Sequence, residues 1–145
     1  MLGWRWSVTG HSKQRLKKKI SKYGLQNNIE LFGFLDGKEK FEVFKQSKIV
    51  IHPATYDSGG MAAAEAMAWG LPGISFDLEA LKTYYPKGMI KICPGDLEKF
   101  AEAVIRLLTD KKYYQETASE AVDLIVEQWD WDKRASQIFE MVLKT

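Results

Sequence analysis

The chain has 145 residues, with 21 Lys and Arg against 19 Asp and Glu, for a net charge of +2. That length suits one domain with a core of fair size, and so small a charge sets up no whole-protein field toward nucleic acid. Cys93 stands alone, which excludes an internal disulfide and fits a reducing compartment; no apolar run approaches the ~20 residues of a membrane span, and the first residues lack the apolar segment of a secretory leader.

In chain order, residues 4–8 read as a strand. Gly10 and His11 follow, and Ser12 can cap a helix that runs to about residue 23 and ends at Gly24. Leu16, Ile20 and Tyr23 form its inward stripe. Residues 29–34 read as a strand and 38–46 as a helix with Phe41 and Phe44 on one side. A strand over 48–52 carries the β-branched run Ile49-Val50-Ile51. A loop with Pro53, Asp57, Ser58, Gly59 and Gly60 leads into a helix of small residues over 61–69, closed by Gly70 and Pro72. Strands over 73–76 and 89–92 flank a short helix at 78–85, stopped by Pro86. Helices at 97–108, 112–129 and 132–143 follow, the first with Phe100, Val104, Leu107 and Leu108 inward, the last with Ala135, Ile138, Phe139 and Val142 on one face.

Strands spaced by helices predict an α/β fold, a Rossmann-like doubly wound parallel sheet of about five strands with helices on both faces. Residues 1–145 read as a single domain. The segment from Ile49 to Ser75 carries the chemistry. It places bare backbone N–H groups at a helix start beside the carboxyl end of a parallel strand, where open α/β sheets bind phosphates. Asp57 in the loop and Glu65 in the helix are separated by seven residues, and Glu65 lies one turn beyond Met61 on the same helix face. Two such carboxylates can accept hydrogen bonds from sugar hydroxyls.

This segment resembles the signature of the group 1 family of retaining glycosyltransferases, whose fold is called GT-B. Glu65-Ala66-Met67-Ala68-Trp69-Gly70-Leu71-Pro72 matches that family's Glu-Ala-Met-Ala-x-Gly-x-Pro string at every fixed position. Asp57 stands for the first of the family's two glutamates, and Ser58-Gly59-Gly60 for the usual Gly-Phe-Gly. The resemblance implies the C-terminal, donor-binding half of a GT-B enzyme. It also implies that the first strand and helix of that half, with two diphosphate-holding cations, and the whole N-terminal acceptor domain are missing here.

The activity implied is transfer of a sugar from a nucleotide-sugar to an acceptor hydroxyl with retention of configuration, in carbohydrate biosynthesis. The chain by itself is expected to bind nucleotide weakly and to transfer no sugar. By the resemblance, Glu65 holds the ribose hydroxyls and Asp57, the catalytic assignment, binds the donor sugar. Ser58 and the N–H groups of Gly59, Gly60 and Met61 face the sugar and diphosphate. Phe34, Leu35 and Asp36 lie near the base, although a plain turn at Asp36-Gly37 explains the same residues. Gly10 either lines the cleft or belongs to an ordinary strand-to-helix turn capped by Ser12. His52 either touches the donor or is a hydrogen-bonded histidine at a sheet edge.

The expected partners are a nucleotide-sugar donor, a sugar or lipid-linked acceptor and the missing N-terminal domain, with no nucleic acid. No cofactor and no metal are expected, since no Cys/His cluster has ligand spacing. Lys13, Arg15, Lys17, Lys18, Lys19 and Lys22 give one helix a basic face. It reads as a solvated surface, or else as a peripheral contact with the inner face of a membrane in an otherwise cytoplasmic protein. The alternative to an enzyme is a non-catalytic nucleotide-binding module or partner subunit of the same fold.

Overall fold

The computed structural model describes residues 4–7 and 10–143. Val8, the expected end of the first strand, lies outside them. Where the sequence reads as one domain, backbone packing falls into two compact units, Met1–Gln46 and Ser47–Thr145.

In the first unit, β1 (Trp4–Ser7) pairs in parallel with β2 (Ile29–Phe32) through the crossover helix α1 (Gly10–Lys22), and α2 (Gly37–Gln46) follows. The helix α1 starts two residues before the expected serine cap, so Ser12 lies inside its first turn. A serine marks where capping is feasible; the backbone hydrogen bonds decide where winding begins. At the other end, Gly24 N donates to Ser21 O and Leu25 N to Ile20 O, the paired bonds that close a helix at glycine. Ile20 is buried, but Tyr23 is 65% exposed and not part of an inward stripe. It sits past the last helical turn, where the 3.6-residue period no longer applies. The strand β2 likewise stops at Phe32, two residues short of the expected end, and Phe34 is 81% exposed.

The second unit holds β3 (Val50–His52), α3 (Met61–Met67), β4 (Gly73–Phe76), α4 (Glu79–Tyr84), β5 (Met89–Ile92), α5 (Leu97–Thr109), α6 (Lys111–Gln128) and α7 (Trp131–Leu143). Its sheet is parallel with order β3-β4-β5, and His52, Ser75 and Lys91 lie in one row near the carboxyl ends. Among the described residues, β1 and β2 pair with each other within the first unit and β3, β4 and β5 within the second, where the sequence reads as a single sheet of about five strands. Apolar runs reveal strands but not which edges exchange hydrogen bonds, and that choice belongs to packing.

Alternation along the three strands builds two cores. Ile74 and Phe76, with Ile49, Ile51, Ile90 and Ile92, pack with Phe100 and Leu107 of α5. Val50 and Met89 instead join Ala63, Ala64 and Met67 of α3, Leu81 and Tyr85 near α4, and Ala121 and Leu124 of α6. Residues one apart in a strand face opposite sides, so helices cover both faces of this sheet. The caps are ordinary: Asp96 accepts from Lys99 N at 3.0 Å and Asp110 from Tyr113 N at 3.0 Å. No described helix is long and apolar enough to cross a membrane.

Candidate donor-binding site

The loop after β3 is organised by one carboxylate. Asp57 Oδ1 accepts from Gly59 N at 2.7 Å and from Gly60 N at 2.5 Å, and Oδ2 lies 2.7 Å from His52 Nε2. An ionised carboxylate only accepts, so the imidazole presents Nε2–H to it. His52 is thus hydrogen-bonded at the sheet edge, through Asp57. The N–H groups of Gly59 and Gly60 point at Asp57, a difference from the expectation that they face the ligand. A carboxylate two and three residues back competes for them locally, as Asp side chains do in turns.

Three of about four acceptor positions on the Asp57 carboxylate are filled in this way, leaving one on Oδ2. The side chain is one-fifth exposed. Burial works to raise the Asp57 carboxyl, but the hydrogen bonds from Gly59, Gly60 and His52 outweigh it and hold it below its ordinary 3.8. A carboxyl depressed on folding stabilises the folded state above the unfolded value, and that stability is lost as pH falls through the folded one. Urea midpoints of the native chain and of Asp57→Asn should therefore differ at pH 6 to 7 and converge as the pH falls below about 4. A difference that persists unchanged at low pH would remove the ionised carboxylate from this account.

The loop is closed from its other side by Tyr85. Its hydroxyl donates to Gly59 O at 2.7 Å and Gly60 O at 3.0 Å. Gly60 has φ +61°, and a Cβ there would lie 3.0 Å from Leu81 Cδ2 and 3.3 Å from Tyr85 Cε2. Only glycine combines that backbone with that approach. From Gly60 the chain enters α3, where Gly60 O accepts from Ala63 N and Ala64 N. The first-turn N–H groups of Met61 and Ala62 have no intrahelical partner by helix geometry. Ala63, Ala64, Ala66 and Met67 are buried, while Met61 and Glu65 share the exposed face. Small residues on the buried side let α3 lie close to the sheet, and the carboxylate of Glu65 faces outward as a consequence.

Asp57, Ser58, Gly59, Gly60, Met61 and Glu65 are thereby brought to the carboxyl end of one sheet. Gly10, Phe34, Leu35 and Asp36 belong to the first unit. There Gly10 opens α1 instead of forming a turn, and Asp36 Oδ1 accepts from Gly37 N at 2.7 Å at the start of α2. Sequence reasoning did not single out Tyr85. The available signal was the adjacent pair Tyr84-Tyr85 before Pro86, large aromatics at a helix end facing a loop of glycines. Among the described residues, no group of three or more His, Cys, Asp or Glu side chains is placed to hold a metal ion.

Residues 2–123 match the family model of glycosyl transferases group 1, and the chain belongs to that family. It is 30% identical over 142 residues to an exopolysaccharide phosphotransferase of Streptomyces coelicolor, covering 88% of this chain and 15% of that protein. The crystal structure of Anabaena HepE in complex with UDP and glucose superposes with a TM-score of 0.81 at 19% identity, covering 97% of this chain and 39% of that one. The C-terminal domain of a group 1 glycosyl transferase from Francisella tularensis superposes with a TM-score of 0.71 at 21% identity, covering 83% of this chain and 63% of that one. The fold is thus that of the C-terminal half of a GT-B glycosyltransferase. The chain spans less than two thirds of the length of each of these relatives.

Proposed function

We propose that the second unit is the donor wall of a glycosyltransferase that moves a sugar from a nucleotide-sugar to an acceptor hydroxyl with retention of configuration. One observation carries this reading. Asp57 and Glu65 stand on consecutive pieces of backbone at the carboxyl end of β3, with a helix start between them. Membership of the family and the likeness to a structure that holds UDP and glucose support it.

In this reading Glu65 accepts hydrogen bonds from the ribose, and the remaining acceptor position of Asp57 takes a hydroxyl of the donor sugar. Ser58 and Met61 flank the sugar and diphosphate, and Gly59 and Gly60 let the ligand approach the backbone. The start of α3 offers partial positive charge where negative charge develops on the leaving diphosphate. Neither a cofactor nor a divalent metal takes part. The acceptor, a sugar or a lipid-linked hydroxyl, approaches from an N-terminal domain, and the reaction takes place in the cytoplasm.

Glu65→Gln keeps size and removes the charge from a charge-assisted hydrogen bond, which should weaken nucleoside diphosphate binding by about 1.5–3 kcal/mol. Calorimetry against UDP, GDP and ADP tests it. Equal affinity in a folded Glu65→Gln chain would sink the ribose assignment.

A further inference from the structure

We infer that Tyr85 is a positioning residue for the loop that carries Asp57, and that it sets the shape of the sugar subsite without touching the ligand. The inference rests on the donor-site reading for its consequence in binding, and on geometry alone for the clamp itself. Two glycine peptides in succession are held from opposite sides. Their N–H groups donate to Asp57 Oδ1 and their carbonyls accept from a single phenol.

A two-glycine loop has the widest choice of backbone conformations of any dipeptide. Fixing four of its polar groups with two side chains removes most of that choice. The phenol is well suited to the task because it is itself immobile. The Tyr85 side chain is fully buried, and its ring stacks on Trp129 at 6.1 Å between centroids and 18° between planes. Its own carbonyl accepts from Lys91 Nζ, and its N–H donates to Leu81 O at 3.0 Å. The hydroxyl also stays a donor. Burial first, and the charges of Asp57 and Tyr84 after it, push its ionisation far above the ordinary phenol value.

The chemistry of the loop explains why a donor is needed at this point. A buried carbonyl without a partner is costly; Gly60 O also accepts from Ala63 N and Ala64 N, so there the phenol adds to bonds already made, while it holds the neighbouring Gly59 carbonyl as well. The left-handed turn at Gly60 directs its carbonyl at Tyr85 and leaves no room for a side chain beside the ring. Tyr85 and Gly60 therefore form a matched pair: the ring, together with Leu81, crowds the position a Cβ would take, and the hydroxyl fixes the peptide that the missing Cβ sets free. Through Tyr85 and Trp129, the orientation of Asp57 is tied to the end of α6 instead of resting on local loop contacts.

The test is hydrogen exchange on the 145-residue chain, read by nuclear magnetic resonance, for the native sequence, Tyr85→Phe and Trp129→Phe. Tyr85→Phe deletes the hydroxyl and leaves the ring. The amides of Gly59 and Gly60 should exchange about ten-fold faster, with core amides such as Ile74 and Leu124 changed less. Trp129→Phe keeps the hydroxyl but reduces its backing, and should give a smaller rise at the same two amides. In the native chain the Tyr85 hydroxyl proton should itself exchange slowly and show cross-relaxation to Gly59 or Gly60. Unchanged exchange at Gly59 and Gly60, an equal rise across the whole core, or a fast-exchanging hydroxyl would each overturn the clamp.

Titration with UDP-glucose and with UDP separates the clamp from the donor reading. Tyr85→Phe should weaken UDP-glucose more than UDP, because the loop addresses the sugar and Glu65 the ribose. An equal loss for both ligands would refute the sugar-subsite role of Tyr85. If the native chain binds neither of these nor GDP- or ADP-sugars, the donor reading fails while the exchange result still decides the clamp.

Discussion

Replacing Gly88 by Ala is expected to destabilise the second unit by about 3 kcal/mol or more. Gly88 has φ +70°, and a Cβ on it would lie 2.4 Å from Ala121 Cα and 2.5 Å from Ala121 N. Those are backbone atoms of α6, so no side-chain rotation relieves the clash. The helix would have to move off the start of β5. The same residue holds both partners: Gly88 N donates to Glu120 Oε2 at 3.2 Å, and Gly88 O accepts from Gly73 N at 3.1 Å. Displacement of α6 would also disturb Ala121 and Leu124, which are fully buried in the core that backs α3. Urea unfolding checks this. A Gly88→Ala chain with an unaltered midpoint would mean that α6 packs elsewhere.

The second large effect is expected at Asp57, where Ala and Asn should part company. Asp57→Ala removes the acceptor of three hydrogen bonds and leaves the N–H groups of Gly59 and Gly60 and the imidazole of His52 to find others. Hydrogen bonds to a charged group contribute roughly 1.5–3 kcal/mol each when they can be made nowhere else. Solvent reaches this loop, so the loss should sit at the low end and fall on loop order. Asp57→Asn retains one oxygen for the two glycine amides and gives up the charge. If Asp57 acts on the sugar, Asn should keep the loop, shown by protected Gly59 and Gly60 amides, yet lose most sugar transfer in the protein that carries it out. If Asp57 only shapes the loop, Asn should keep sugar transfer to the extent that it keeps the Gly59 and Gly60 amides protected. Ala is expected to fail in both.

These two residues show what kinds of information a sequence holds. Asp57 was legible. A carboxylate before two glycines, eight positions ahead of a glutamate in a helix of small residues, carries its meaning in local spacing, and local spacing survives folding. The same is true of α3 and of the strands on either side of it, because the periodicity of apolar residues and the stops at Gly70 and Pro72 act over a few residues at a time. Gly88 was not legible, since nothing in Lys87-Gly88-Met89 announces that Ala121, more than thirty residues later, will lie against it.

The sequence by itself determined the alternation of strands and helices, the two carboxylates and the family string from Glu65 to Pro72. The tertiary structure alone decided the rest. It set the order β3-β4-β5 within the second unit, because strand edges choose partners by packing and not by their own composition. It turned the Gly59 and Gly60 amides toward Asp57 and their carbonyls toward a tyrosine some 25 residues on. The hydrogen bonds of a glycine loop are set by whichever fixed groups the fold brings to it, and those lie far away in sequence.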